Sequence, residues 1–587
     1  VKRITLREVA HARSGEKGRG SNITVIAYDL KDYGLLREQV TVEAVRGLYG
    51  PITKGSITRY EAPAIGALNF VLEDVLEGGR TRTLAFEESG KALSSLILTL
   101  PVSVPDDYVE RVKRPTNPLV QPPLKSNAGK KIRIGSATAW SRDRFEPAED
   151  LIARGNIQYL GFDAMSEVTM SALQMARMEN DKLPPFDPNL ESRMEPLLKL
   201  CKEKGIKLIT NSGWLDPVAA ADHILQLARR LGMADLKVAA VCGGVLTDRI
   251  ADMGLNFIET GTPIADHKND IVCAEAYMGA QGIIDALKQG ADVVITTRVA
   301  DACIYLAPLA YEFGWDLNDP HLAAKGMIIG HLMECGAQVC GGYFADPGYK
   351  DVSRLEDLGN PIVEVTAERV TMSKLPGSGG LMTEATCKEQ LLYEVQNPAR
   401  YLCPDVIADL TKVSFRQIAE DEVEVLIDAA GLPRTPTLKV LVGLKEGFMT
   451  EEMVIFAGPG ALNRAEMTKD ILQKRFAKVA LKAEEIRWDY LGINAVHRES
   501  SPAMPADPYE VILRVAVKAK EKREAEKLRR EIDPLAVNGT AGTGKWGTSI
   551  PGSRVYPVIG LNSVLVPREV APVSVVMREL GPASKVA

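Results

Sequence analysis

The sequence predicts an α/β protein: a large domain built on a mainly parallel sheet with covering helices, a mixed α+β C-terminal part, and a small αβ unit at the N-terminus. Three observations predict it. From Lys131 to about Leu309, short β-branched runs alternate with helix-length segments. A proline-dense stretch separates this region from the N-terminal unit. Beyond Gly341 the alternation fades. Repeated βα units imply strands joined in parallel by helices that cover the sheet.

Residues 1–105 form the small unit. Ile23–Asp29, Ile57–Tyr60 and Thr83–Phe86 have strand length, and Ala92–Leu100 reads as a short helix or a strand. Residues 106–131 read as a linker, because Pro115, Pro118, Pro122 and Pro123 favour extended chain over helix. In the core, 132–345, the strands are Ile132–Ile134, Ile157–Leu160, Lys207–Thr210, Leu236–Val241 and Val293–Thr296. They are apolar throughout, as strands buried on both faces must be. Met165–Glu179, Leu190–Lys204, Pro217–Leu231 and Ala274–Gln289 read as helices, three of them closed by Gly205, Gly232 and Gly290 where a left-handed residue is wanted. In the remainder, 346–587, Leu391–Asp409, Val423–Ile427 and Leu438–Val442 suggest mixed helices and antiparallel strands. Val511–Val517 reads as a strand running into a charged, solvated helix, Lys518–Ile532.

Bulk properties narrow the function. A chain of 587 residues corresponds to about three or four domain-sized units. A net charge of −6 does not provide the basic field of a dedicated nucleic-acid binder. No run approaches the roughly 20 apolar residues of a membrane span, and Val1–Gly20 lacks a signal-peptide core. Eight cysteines without a C-x-x-C pair read as reduced thiols, not a zinc ribbon. The expectation is a cytoplasmic protein with neither a membrane nor a nucleic-acid partner.

Ligands of open parallel sheets sit beyond the strands' carboxyl ends. Here those ends carry Gly135, Ser136 and Arg142; Asp163 and Glu167; Asn211, Ser212 and Gly213; Cys242, Gly243 and Gly244; and Thr297, Arg298 and Asp301. Such residues also cap helices, as Asp216 before Pro217 does. As a group they predict one polar crevice. A second feature is Gly330–Gln338. On a helix His331, Glu334 and Cys335 share a face, so a carboxylate-oriented imidazole could act as acid or base, with the thiol and Gln338 beside it. A third is His11–Asn22, a flexible glycine-rich loop whose backbone N–H groups could cradle an anion, with Arg13, Lys17 and Arg19 adding positive charge. The segment Gly539–Lys545 has the spacing of a phosphate loop. Trp546 stands where the magnesium-binding hydroxyl should be, and neither a preceding strand nor a following helix is evident. Asp266, His267 and Asp270 are a weak candidate metal cluster, and the expectation is no metal and no required cofactor.

Taken together, these motifs resemble the acyclic terpene utilisation family. The matching segments are Arg133–Ser136; Gly161–Met170; Thr210–Gly213; Tyr277–Ala280; Thr297–Asp301; Glu312–Trp315; Gly330–Gly342; Glu389–Glu394; and Pro404–Val406. Residues 1–105 resemble the family's small domain, described as ferredoxin-like, through Ala10–Asn22, Ala67–Phe70 and Gly90–Ala92. The order is unusual, since the small domain ordinarily follows the large one. Thr297 replaces a usual glycine, and Trp214-Leu-Asp-Pro replaces a glycine-rich Asn-Pro ending. The resemblance implies catabolism of acyclic isoprenoid or branched acyl compounds. It makes an acyl-CoA or related carboxylate the expected substrate, with coenzyme A present only as part of it. On this reading His331, Glu334, Arg298, Asp301 and Asp163 are catalytic. Ser136, Glu167, Asn211, Ser212, Cys335, Gln338, His11, Arg13 and Lys17 bind substrate. Hydration, C–C lysis and hydrolysis remain open, as do a non-catalytic acyl-CoA-binding subunit and a metal-assisted hydrolase or hydratase. A homo-oligomer is expected.

Overall fold

The computed structural model describes residues 1–108, 114–503, 507–546 and 555–580. Part of the expected linker and the 547–552 stretch after the phosphate-loop spacing fall outside them.

The N-terminal unit is a four-stranded antiparallel sheet in the order Ala10–Lys17, Gly20–Ala27, Ala67–Leu72, Ile57–Ala62. Strand alternation gives it two different faces. Ile23, Val25, Leu68 and Phe70 pack against Leu36, Val45 and Tyr49 of the helices Tyr33–Gln39 and Val42–Tyr49. The intervening Asn22, Thr24 and Asn69 form the opposite, polar face. Asn22 Nδ2 donates to the Leu392 carbonyl at 2.8 Å, and Asn69 Nδ2 to that of Val395 at 2.9 Å. Backbone carbonyls of the large domain thus satisfy the buried amides of the small one. The glycine-rich His11–Asn22 segment is therefore a tight β-hairpin, not a flexible loop. Its turn uses Gly18 at φ 60°, where a side chain would be strained.

The large domain holds a ten-stranded sheet that is mixed rather than mainly parallel. Its centre is Ile132–Thr138, Tyr159–Phe162, Lys207–Thr210, Val293–Thr296 and Lys237–Cys242, all parallel in that order. The chain skips a place after Lys207–Thr210 and returns to fill it, which creates a switch point in strand order. Antiparallel strands extend both edges. Pro361–Val365, Val370–Lys374, Glu422–Ile427 and Val413–Ala419 follow in turn from the first strand, and Ser574–Glu579 pairs with Lys237–Cys242. Strands on both sides of residue 345 thus share one sheet, and each face carries its own apolar core.

Other expectations need local correction. Ala274–Gln289 is not one helix. The strand Ile271–Ala276 comes first, and the helix is Gln281–Lys288. Ala-rich apolar sequence has no period that separates a buried strand from a helix. Thr83–Phe86 forms no strand and Leu190–Lys204 is interrupted after Met194, whereas Ala92–Leu100 takes the helical alternative, with the 3-10 turn Lys91–Leu93 leading into the short helix Ser94–Ile97. Lys518–Ile532 continues the Glu510–Ala519 strand and then forms two short helices. Their Ala525, Leu528 and Ile532 are buried, because spacings of three and four align them on one face. A second, six-stranded sheet is organised by the long strand Thr437–Ala457, whose partners include Ile271–Ala276 and Glu510–Ala519. Gly544–Trp546 pairs with this strand, so Lys545 lies in a β-ladder and not in a phosphate loop. No helix among the described residues is long and apolar enough to cross a membrane.

Candidate functional site

The carboxyl ends of the central strands meet as the sheet topology requires. Just after Tyr159–Phe162, Asp163 is 5% exposed. Asn211, which follows Lys207–Thr210, fixes it: Nδ2 donates to Asp163 Oδ1 at 2.7 Å while Oδ1 accepts from the Ala164 N–H at 2.7 Å. Arg298, after Val293–Thr296, donates from Nη1 to Asp301 Oδ1 at 3.0 Å and to the Met165 carbonyl at 3.2 Å. Its guanidinium lies 4.3 Å from the centre of the Tyr277 ring. The Tyr277 hydroxyl donates to Glu167 Oε1 at 3.0 Å, and Lys439 Nζ reaches the same oxygen at 3.2 Å.

Lys17, at the end of the N-terminal hairpin's first strand, joins this group from the other domain. Burial opposes its charge, but Glu167 and Glu394 raise its pKa on balance. Lys17 is exposed and Glu167, Tyr277 and Asp301 are partly exposed; burial outweighs the neighbouring charges at Tyr277 and Asp301, whereas those charges outweigh burial at Lys17 and Glu167. Together they form a polar chamber that is open to solvent on the side of Lys17 and Lys439. Two outer depressions, about 370 and 530 Å³, are lined by other residues, including Asp285 and Val575 in one and Arg37 and Arg59 in the other.

The chamber drives its carboxyls apart. Burial raises Asp301 to about 6, opposed by Arg298 and Lys17 and assisted by Glu334. Asp163 is pushed well up by burial and by Asp301, against Asn211 and Arg298. Glu275 is also pushed well up by burial, with Arg298 in opposition. Glu167 goes the other way: burial would raise it, but Lys439, Lys17 and Arg298 bring it to about 2. Such divergence is what separates proton donors from permanent anions in one site.

The remaining candidates divide between the chamber's rim and its supports. Glu334 adds negative charge near Asp163 and Asp301. His331 is fully engaged: Nε2 lies 3.0 Å from the Leu391 carbonyl and Nδ1 3.0 Å from Glu334 Oε1. A carbonyl can only accept, so Nε2 carries a proton. The Glu334 contact then needs a second proton, on the ring or on the carboxyl. Burial and Glu334 push the Cys335 thiol well up, away from the thiolate a nucleophile needs. Ser136 is fully buried under the Tyr305 hydroxyl, at 2.7 Å, and Ser212 turns to Thr210 Oγ1 at 2.8 Å. Arg13 lies between the Tyr343 and Tyr393 rings and donates to Gln338 Oε1 at 2.5 Å. His11 Nδ1 lies 2.5 Å from Glu389 Oε1. These last three weld the domains together. Among the described residues no three His, Cys, Asp or Glu side chains are grouped to hold a metal, Asp266, His267 and Asp270 included.

Sequence reading missed Tyr277, Glu275, Lys439 and Glu394 as site residues. Tyr277 and Glu394 lie within motifs already singled out. Glu275 could have been found as the lone charge in an apolar strand, Ile-Val-Cys-Ala-Glu-Ala. Lys439 arrives on a distant strand and carries no local signal.

The same regions stand out in comparisons with known proteins. The description "acyclic terpene utilisation family protein AtuA" matches residues 132–577, and "AtuA ferredoxin-like domain" matches residues 4–103. No curated protein and no solved structure matches the chain. With its large domain matched nearly end to end and the small domain preceding it, the chain belongs to the acyclic terpene utilisation family.

Proposed function

We propose that the chain is a catabolic enzyme acting on a branched acyl-CoA or related carboxylate, with proton transfer centred on Asp301. What supports this reading is the geometry at the strand ends: Arg298 Nη1 donates to Asp301 Oδ1 at 3.0 Å, Asn211 holds Asp163 at 2.7 Å, and Glu167 is taken up by Tyr277 and Lys439; burial lifts Asp301 to about 6 while cations bring Glu167 to about 2. A carboxyl near neutral pKa serves as base or acid at cellular pH, and general acid–base catalysis contributes about 10²–10⁴-fold. Arg298 would hold the carboxylate or neutralise negative charge developing on a thioester oxygen. Asn211 and Asp163 would orient substrate or water. Hydration, C–C lysis and hydrolysis all use this arrangement. His331, spanned between two acceptors, acts here as the residue that positions Glu334.

A panel of branched acyl-CoAs and the corresponding free acids tests the reading by thermal shift and turnover. A true ligand at 100 times its Kd adds about 2.7 kcal/mol of stability, and Asp301→Asn should bind it without turning it over. Binding by the wild type with no turnover of any member would favour an acyl-CoA-binding subunit and overturn the enzyme reading.

A further inference from the structure

Three buried polar groups beneath the chamber have no hydrogen-bond partner: the Trp214 indole N–H, the Arg298 Nε–H, and both carboxyl oxygens of Glu275. All three side chains belong to residues at most 5% exposed. An unpartnered buried polar group costs about 1–3 kcal/mol, so three in one region call for a physical reason.

The fold places them together. Cys273, Glu275 and Tyr277 alternate onto one face of the Ile271–Ala276 strand and its extension. Cys273 packs in a small apolar cluster with Trp214, Met165, Met170 and Leu173. Tyr277, at the other side of Glu275, lies under the Arg298 guanidinium, and Arg298 also donates to the Met165 carbonyl. Glu275 is near enough to Arg298 for the guanidinium to act on its charge, and it shares a strand face with Cys273, which packs on Trp214. Arg298 is paired to Asp301 only through Nη1, which leaves its Nε edge uncommitted. Trp214 itself adopts a left-handed backbone, φ 41°.

We propose that Trp214, Glu275 and Arg298 form a buried carboxylate pocket that takes the ionised acid group of an aliphatic substrate, continuous with the Asp301 site. The indole and guanidinium supply N–H donors, and Glu275, kept neutral by burial, supplies an O–H. One guanidinium among thioether and aliphatic walls suits a singly charged carboxylate carrying an alkyl chain better than a phosphate, which gathers several cations. The pocket deepens the proposed function and rests on it for the identity of the reacting centre. It requires the substrate to present a free carboxylate.

Calorimetric titration of the full chain with 3-methylbutanoate and with its amide tests the pocket without turnover. The carboxylate should bind at least 10-fold more tightly than the amide, since a charge-assisted hydrogen bond exceeds a neutral one. Trp214→Phe and Glu275→Leu should each erase most of that preference, with folding checked by melting. Asp301→Asn should keep the preference even though turnover is lost. Equal binding of acid and amide, absence of acid binding, or an unchanged preference in a folded Trp214→Phe protein would overturn the pocket. Acyl-CoA turnover alongside any of those results would leave the enzyme reading standing, whereas retained preference with no turnover of any substrate would sink the enzyme reading alone.

Discussion

Two clusters of carboxyls and cations, one sealed at the domain interface and one at the strand ends, behave in opposite ways. At the domain interface Glu389 meets His11 at 2.5 Å and Lys350 at 2.8 Å. Burial would raise it, but Lys350 and His11 outweigh burial and bring it to about 2. Burial also lowers the His11 pKa, against the pull of Glu389. That cluster is closed: its charges are matched and its role is cohesion. In the chamber, Asp163, Asp301 and Glu275 share one principal cation, Arg298, and all three are pushed up. The difference teaches that the ratio of cations to carboxyls, more than burial itself, separates a structural ion pair from a site poised to move protons.

Several substitutions would break or sharpen the contrast. The largest effect is expected at Asp301→Asn, which should lower kcat by about 10²–10⁴-fold without lowering the melting temperature at neutral pH. A stability loss matching the loss of activity would place Asp301 with the structural cluster. Lys350→Met should do the reverse. It leaves Glu389 buried with His11 alone, whose charge burial opposes, and should cost about 3–5 kcal/mol, while kcat per folded molecule stays close to wild type, as read by denaturant melts beside active-site titration. Acid should expose the same cluster. Because the folded pKa of Glu389 lies below its unfolded value, its stabilisation is complete above the unfolded pKa of about 4.3 and fades as pH falls toward 2. Replacement by Glu389→Gln should flatten that limb of the stability curve. Asp301 has the opposite sign. With its folded pKa raised to about 6, it favours the folded state most at low pH and loses that contribution as pH climbs from about 4 to 6. The smallest effect is expected at Lys17→Ala, a change of a few-fold in KM, since Lys439 also neutralises Glu167. An unchanged KM would confine the hairpin to holding the domains together.

Much of this arrangement was legible in the sequence because parallel-strand topology forces it. Asp163, Asn211 and Arg298 follow successive central strands, so a βα pattern alone brings them to one edge. What escaped came from elements whose partners are remote. Lys439 reaches the chamber on a strand paired with Ile271–Ala276, and nothing near it in sequence marks that pairing. The mixed character of the sheet escaped for the same reason: Pro361–Val365 and Ser574–Glu579 add to edges that no local pattern identifies as open. His331 illustrates a different limit. The sequence placed it one turn from Glu334, but the Leu391 carbonyl that occupies its other nitrogen comes from 60 residues further along the chain.

The chamber's titration is the point on which the account turns, and infrared difference spectroscopy reads it without knowing the substrate. Comparing wild type with Asp301→Asn across pH 3–8 isolates one carboxyl band, and the account predicts a midpoint near 6. A midpoint at or below about 4, the ordinary aspartate range, would show Asp301 to be a permanently charged partner of Arg298 and would contradict it.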